Sequence, residues 1–300
     1  MIVCFSTFSR SSRVYGWRQV SLMPIPYSKI ASYPVPARIS LFLLVLMLLW
    51  LPVAIPIYWV WRTVNTSSTI ALLILYVEFV WLLQIWGRRV HRQSQPLQYH
   101  GLVRTRQNGF ELLTALGIGF ISLFALFLFE GWMEWLTWQP LPRVHLSFGL
   151  EGLLVGLGVG VAEELLFRGW LIDELRWNCN FKRAVWISST IYAALHFIKP
   201  WTEIVRTLPS FPGLLLLGLT LGWARQVHQE RLGFAIGLHA GLVWGYYLVD
   251  VSDWITYTNQ VPEWATGINQ NPLAGFVGFG FLCALAFVVR KIGEFGVTLD

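Results

Sequence analysis

Apolar residues fall in long blocks separated by short charged stretches. The blocks lie at roughly 39–61, 70–86, 109–129, 146–167, 184–198, 213–224, 233–250 and 274–290. A bilayer-spanning helix needs about 20 apolar residues. The shorter blocks, 184–198 and 213–224 above all, must therefore extend into flanking residues or tilt. The pattern predicts an all-α fold: a polytopic transmembrane helical bundle of about eight spans, with no strands.

Composition sharpens this. The chain of 300 residues is 55% hydrophobic and only 13% charged, and it holds 17 Trp and 20 Phe. A soluble domain carries about 25% charged residues. The apolar excess is too large for a core of this size, and a bilayer is its simplest solvent. An ordinary soluble enzyme, a disordered chain and a nucleic-acid-binding domain are excluded.

The net charge of +6 then reads as loop charge, because cytosolic loops accumulate Lys and Arg. With the N-terminus in the cytosol, the inside segments are 1–38, 87–108, 168–183, 225–232 and 291–300, together with Arg290. They hold 18 of the 22 basic residues. Arg62, Arg143, Lys199 and Arg206 are left for the outer loops. This predicts an integral multi-pass protein with both termini cytosolic. Membrane lipids are its first partners, and nucleic acid is not one.

Residues 1–38 contain no Asp or Glu and read as a basic, Ser- and Pro-rich cytosolic tail. The same composition describes a transit peptide, or a start at Met23. Segment 39–145 holds the N-terminal transmembrane segments, and 251–300 an outer loop, the last helix and a cytosolic end. Cys4, Cys179 and Cys283 are far apart and form no CxxC pair, so they read as free thiols. Trp59, Trp61, Trp132, Trp135 and Trp138 read as an aromatic belt. Gly152, Gly156 and Gly160, and again Gly237, Gly241 and Gly245, mark faces where another helix can approach closely.

Ionisable groups inside apolar helices are costly, so each is a functional candidate. Glu163 and Glu164 stand together near the end of one block, beside the Gly152–Gly156–Gly160 stripe, and should point into the bundle. Glu164 and Arg168 are spaced i, i+4 and can pair. That leaves Glu163 free, and a carboxylate beside another suits a general base. The bland alternative is a helix-end pair snorkelling to the cytosolic interface, with Arg168 at the water boundary. His196 and His239 lie inside two other blocks. With a Glu from a third helix, they could gather a divalent metal or orient a water. His91, His100, His145 and His228 lie in loops or at span ends and read as solvated. Glu111 lies near an interface, and Glu78 and Glu151 have no evident partner.

Glu163-Glu164-x-x-x-Arg168-Gly169, then His196, then His239, resembles the intramembrane proteases related to the CAAX prenyl endopeptidase (the CPBP, or Abi, family). The resemblance covers about 146–250, which would be the catalytic core. It implies a helical membrane fold whose site opens toward the cytosol. It implies that Glu163 activates the attacking water, with Glu164 and Arg168 as close partners. His196 and His239 would bind a metal, usually taken as zinc and shared with Glu163, or stabilise the oxyanion. The substrate would be a membrane-associated protein or peptide, prenylated tails among them.

Two positions depart from the family pattern. Tyr192 stands where the second motif usually has Phe, and Val243 where the third usually has Asn or Asp. Val cannot donate a hydrogen bond to an oxyanion, and such a donor is worth about 10²–10³ in rate. A membrane adaptor that kept the fold and lost turnover is the competing expectation. A transporter with a carboxylate relay is a weaker one, since no internal repeat is evident. Depth leaves a further question. From the expected cytosolic edge, His196 lies about 18 Å in, and Glu163 and His239 about 8–9 Å.

Overall fold

The computed structural model describes residues 27–60, 64–140 and 146–296. Most of the basic tail, with Cys4, lies outside the described residues, as do Trp61, Arg62, Arg143 and His145.

Among the described residues, eight long helices coincide with the eight apolar blocks. They are α1 (Val35–Val60), α2 (Val64–Arg89), α3 (Arg106–Trp132), α4, α5 (Phe181–Leu195), α6 (Phe211–Val227), α7 (Gly233–Val251) and α8 (Phe276–Gly296). Helix α4 starts as Leu146–Glu163 and runs on through a π-helical stretch, Glu164–Leu171, into Ile172–Leu175. Local chemistry sets two of the starts. Thr105 caps α3 by accepting from Asn108 N–H, and Asn180 caps α5 by accepting from Arg183 N–H. Such caps contribute about 1 kcal/mol each. Among the described residues, five helical stretches are long and apolar enough to cross a membrane: Val35–Val60, Thr66–Arg89, Arg106–Trp132, Trp201–Val227 and Gly233–Val251. Helix α5 has only 15 residues, so length and composition alone do not make it a span.

Strands are present after all. Leu136–Trp138 (β1) pairs antiparallel with Ile255–Tyr257 (β2), Leu136 opposite Tyr257. Strands of three residues in Trp-rich connections leave no readable alternation.

Helix α7 is the centre of the bundle, and glycines let it sit there. A Cβ on Gly237 would lie 2.1 Å from the Leu112 carbonyl oxygen of α3, and one on Gly241 2.2 Å from that of Leu116. On the other side, Cβ atoms on Gly156 and Gly160 of α4 would lie 2.6 and 2.9 Å from the carbonyl oxygens of Ala240 and Ile236. Side chains at these positions would push the backbones apart, so the glycines hold α7 against both neighbours.

The alternating helices create two distinct ends. The connections 90–105, 176–180 and 228–232 meet at one, where Leu232 N–H donates to the Gly101 carbonyl and Arg176 bonds Glu230. This is the basic end. The connections 133–140, 196–210 and 252–275 meet at the other, through the β1–β2 pair and the close approach of Gly213 to Leu273.

The basic end contains a buried ion-pair network that corrects several expectations. Arg38, assigned to the tail, lies within α1 and is buried, with its Nε donating to Glu174 at 2.5 Å. His91 and His100 were expected to be solvated. Instead His91 bonds Glu174 at 2.9 Å and His100 bonds Asp173 at 2.8 Å. His228 stacks on Phe234 and approaches Glu111, which also accepts from Arg231. For Arg38, His91 and His100 the reason is α4, which does not stop at Arg168 but carries Asp173 and Glu174 inward as buried acceptors. Burial alone would raise the Glu174 pKa, yet His91 and Arg38 hold the carboxyl below the usual range. Burial lowers the His228 pKa against the pull of Glu111.

Candidate active site

Helix α4 presents Glu163 and Glu164 at the junction between its α-helical and π-helical parts. π-helical turns recur at functional sites, and nothing in the residue pattern announces this one. Glu164 is fully buried, and its Oε1 accepts from the Arg168 guanidinium at 2.9 Å. Arg168 is 1% exposed and lies over the Tyr192 ring, 4.3 Å from its centre. It is therefore not at the water boundary. The helix continues past it, and the Arg225 guanidinium donates to the Arg168 backbone carbonyl.

The same Glu164 Oε1 lies 2.8 Å from His239 Nδ1. A carboxylate paired with Arg168 can only accept, so Nδ1 carries the proton. In the neutral ring, Nε2 then presents its lone pair. That nitrogen lies 3.8 Å from Glu163 Oε2, beyond a direct hydrogen bond. Glu163 Oε2 has no hydrogen-bond partner among the described residues. Thus α4 and α7 aim two acceptors at one small volume, with a buried Glu–Arg pair fixing the ring between them.

His196 caps the end of α5, and its Nδ1 is 2.8 Å from the Tyr192 carbonyl oxygen. The carbonyl can only accept, so here too the lone pair is on Nε2. The ring stands edge-on to Tyr192, with centroids 4.7 Å apart, and Tyr192 is 6.4 Å from His239. The Tyr192 hydroxyl lies beside the Glu163 carboxylate.

Glu163, Tyr192, His196, His239 and Val243 all line one cavity of about 480 Å³. That size suits a small-molecule or peptide side-chain site. Its remaining walls are largely apolar and include Leu214, Leu217, Leu282 and Leu285. Val243 puts an isopropyl group on the wall. Residues from α8 and the 268–274 connection also line it, Asn271 with a side-chain amide among them, and sequence reasoning did not include them.

Each of Glu163, His196 and His239 offers a donor of the right chemistry toward the cavity. Yet no three His, Cys, Asp or Glu side chains gather at metal-ligating distances among the described residues. The trio as positioned does not form a zinc site, and no step below depends on one.

The cavity runs away from the basic end. Its lining runs from Glu163 and His239 to Lys199, Thr207 and Asn271. Those residues belong to the connections at the end opposite the basic one. The depth question resolves in the same way. With α4 continuing to Leu175, Glu163 lies about 18 Å from that terminus at 1.5 Å per residue. His196, beyond the 15 residues of α5, is at a comparable depth.

No curated protein and no solved structure matches the chain. A family model does match, over the segment that supplies every residue of the Glu163–Glu164–Arg168–His196–His239 set. Residues 145–245 match the model of a family described as type II CAAX prenyl endopeptidase Rce1-like.

Proposed function

We propose that the protein is an intramembrane endopeptidase that hydrolyses a peptide bond of a membrane-associated protein by a glutamate-activated water. The observation that supports this most is the pair of acceptors, Glu163 Oε2 and His239 Nε2, 3.8 Å apart on the cavity wall. A water donating one proton to each would have a lone pair free for a carbonyl carbon. Glu163 takes the proton as the oxygen–carbon bond forms, and delivers it to the leaving amine as the carbon–nitrogen bond breaks. His239 holds the water, and Glu164 with Arg168 holds His239. The Tyr192 hydroxyl, beside Glu163, is a side-chain donor available to the developing oxyanion. An isolated general base of this kind contributes about 10²–10⁴ in rate.

The chain is proposed to cross the membrane eight times with the basic end in the cytosol. Prenylated tails are one substrate class consistent with the family description.

A second reading is a membrane adaptor with the same fold and no turnover, and Val243 on the cavity wall favours it. One experiment separates the two. The full chain in detergent is offered a quenched-fluorescent farnesylated CAAX-tail peptide and an apolar peptide of equal length. Cleavage of either supports the peptidase. No cleavage by wild type or by Val243→Asn supports the adaptor.

A further inference from the structure

We propose that a second, smaller pocket, built from the connections around the β1–β2 pair, binds an organic ammonium group. The pocket has a volume of about 280 Å³, and its lining includes Trp135, Tyr257, Asn259, Glu263, Gly267 and Gln270. It shares no lining residue with the Glu163–His239 cavity, and the proposal does not depend on the peptidase reading.

The strand pair builds two of its sides. Leu136 stands opposite Tyr257, which brings Trp135, just before β1, to the residues that follow β2. Thr258 donates to the Trp135 carbonyl twice, from its N–H at 2.9 Å and its hydroxyl at 3.1 Å. Segment 261–270 closes the third side. Asn259, Gly267 and Gln270 have φ of 58°, 138° and 60°. Side-chain-bearing residues adopt such values rarely. Backbone of this kind persists where the surroundings fix it, and it clusters at ligand sites.

Charge decides the sign of the ligand. Stretches 130–140 and 250–275 contain Glu130, Glu134, Asp250, Asp253 and Glu263, and no Lys, Arg or His. Glu263 is exposed and lines the pocket. Glu130 stands behind the Tyr257 wall. It is fully buried, its Oε2 accepts from the Tyr257 hydroxyl at 3.2 Å, and its Oε1 has no hydrogen-bond partner among the described residues. An anion in the pocket would face one carboxyl and back onto another. A cation is favoured by both.

The aromatic walls decide the kind of cation. A ring face attracts an ammonium group within about 6 Å of its centre. Trp135 and Tyr257 supply two rings, and Asn259 and Gln270 supply amide oxygens for the ligand's own donors. A divalent metal ion would need carboxylates close together, and no three His, Cys, Asp or Glu gather among the described residues. The volume lies just below the range of about 300–1,000 Å³ for drug-sized ligands, so it suits a compact group. A lipid head group and a free amine carry the same chemistry.

The test uses the full chain in a polyoxyethylene detergent, which is uncharged and free of sugar. Saturation-transfer NMR reads the binding of choline, of its uncharged carbon isostere 3,3-dimethylbutan-1-ol, and of a methyl glucoside. Choline should bind at least about fivefold more tightly than either of the others. Glu263→Gln should weaken choline at least about threefold, and Trp135→Leu about tenfold. If Trp135→Leu does not fold, Glu263→Gln, at an exposed side chain, carries the test alone. Nanodiscs of phosphatidylglycerol with and without phosphatidylethanolamine then separate the sources. Displacement of choline by phosphatidylethanolamine assigns the pocket to a lipid head group, and choline binding unchanged by it assigns a free amine. Equal binding of the isostere, preference for the glucoside, or no binding of choline overturns the proposal. So does choline binding that is unchanged in Glu263→Gln.

Discussion

His239 is held by Glu164: its Nδ1 lies 2.8 Å from the Glu164 Oε1 that also accepts from Arg168. One oxygen thus serves a cation and a ring N–H, both buried. The consequence is a fixed tautomer, with Nε2 directed at the cavity and at Glu163. Neither of the adjacent glutamates can substitute for the other. One is a buried structural acceptor, and the other, with a side chain 31% exposed, faces the cavity.

Removing the acceptor should therefore damage stability before it damages chemistry. Glu164→Leu leaves Arg168 buried and uncompensated, for which about 3–5 kcal/mol of destabilisation is expected. Thermal unfolding in detergent reads this directly. Double replacement with Arg168→Met should recover most of the loss, since the stranded charge is then gone. Recovery by neither would contradict the pairing.

The Val243 position gives a prediction of the opposite sign. Val243→Asn places an amide on the cavity wall within the same turn as His239. If the enzyme is weakened by lacking that donor, kcat should rise by about 10²-fold, the usual worth of one oxyanion donor. Steady-state cleavage rates at saturating peptide measure it. An unchanged rate would mean that Tyr192 already supplies the donor, and Tyr192→Phe should then lower kcat.

How much of this was legible in the sequence depends on the length scale of the signal. All eight long helices coincide with apolar blocks, because lipid-facing and bundle-facing residues alike must be apolar. The glutamates and histidines stood out because charge is scarce in those blocks. What could not be read was long-range pairing. Arg38 finds Glu174 across 136 positions, and His100 finds Asp173 across 73. These residues looked like loop charge because their partners come from α4, whose extension past Arg168 no local pattern foretold. The π-helical stretch and the three-residue strands are invisible for the same reason: tertiary contacts decide them.

Helix packing offers a test that is independent of activity. Gly241→Ala would place a Cβ 2.2 Å from the Leu116 carbonyl oxygen, and α3 must move to admit it. Overpacking of this kind costs about 1–3 kcal/mol. Gly117→Ala on α3, where a Cβ meets nothing within 4 Å, should be neutral or slightly stabilising. Comparing the two by denaturation in detergent isolates the contact from helix propensity.

Acid should loosen the basic end in two stages. The folded-state pKa of His228 is lowered from 6.5, so the fold binds fewer protons there than the unfolded chain. Stability is then lost as pH falls below about 6.5 toward that lower value. Glu174 is lowered from 4.5, so its contribution is full above 4.5 and is lost as pH falls through its folded value. His228→Phe keeps the stacking on Phe234 and should flatten the first stage while leaving the second. Unfolding midpoints from pH 8 to pH 3 would show both, and a flat profile for wild type would contradict the assignment.

The most direct measurement of the central claim is the cleavage rate of the full chain in detergent, where both faces are open, set beside Glu163→Ala. Both proteins would be offered the farnesylated CAAX-tail peptide and the apolar peptide. The account predicts a rate about 10²–10⁴-fold lower for the variant, with the unfolding cooperative and the fold retained, because Glu163 faces the cavity and belongs to no buried ion pair with an Arg or Lys among the described residues. A Glu163→Ala protein that cleaves at the wild-type rate would contradict it.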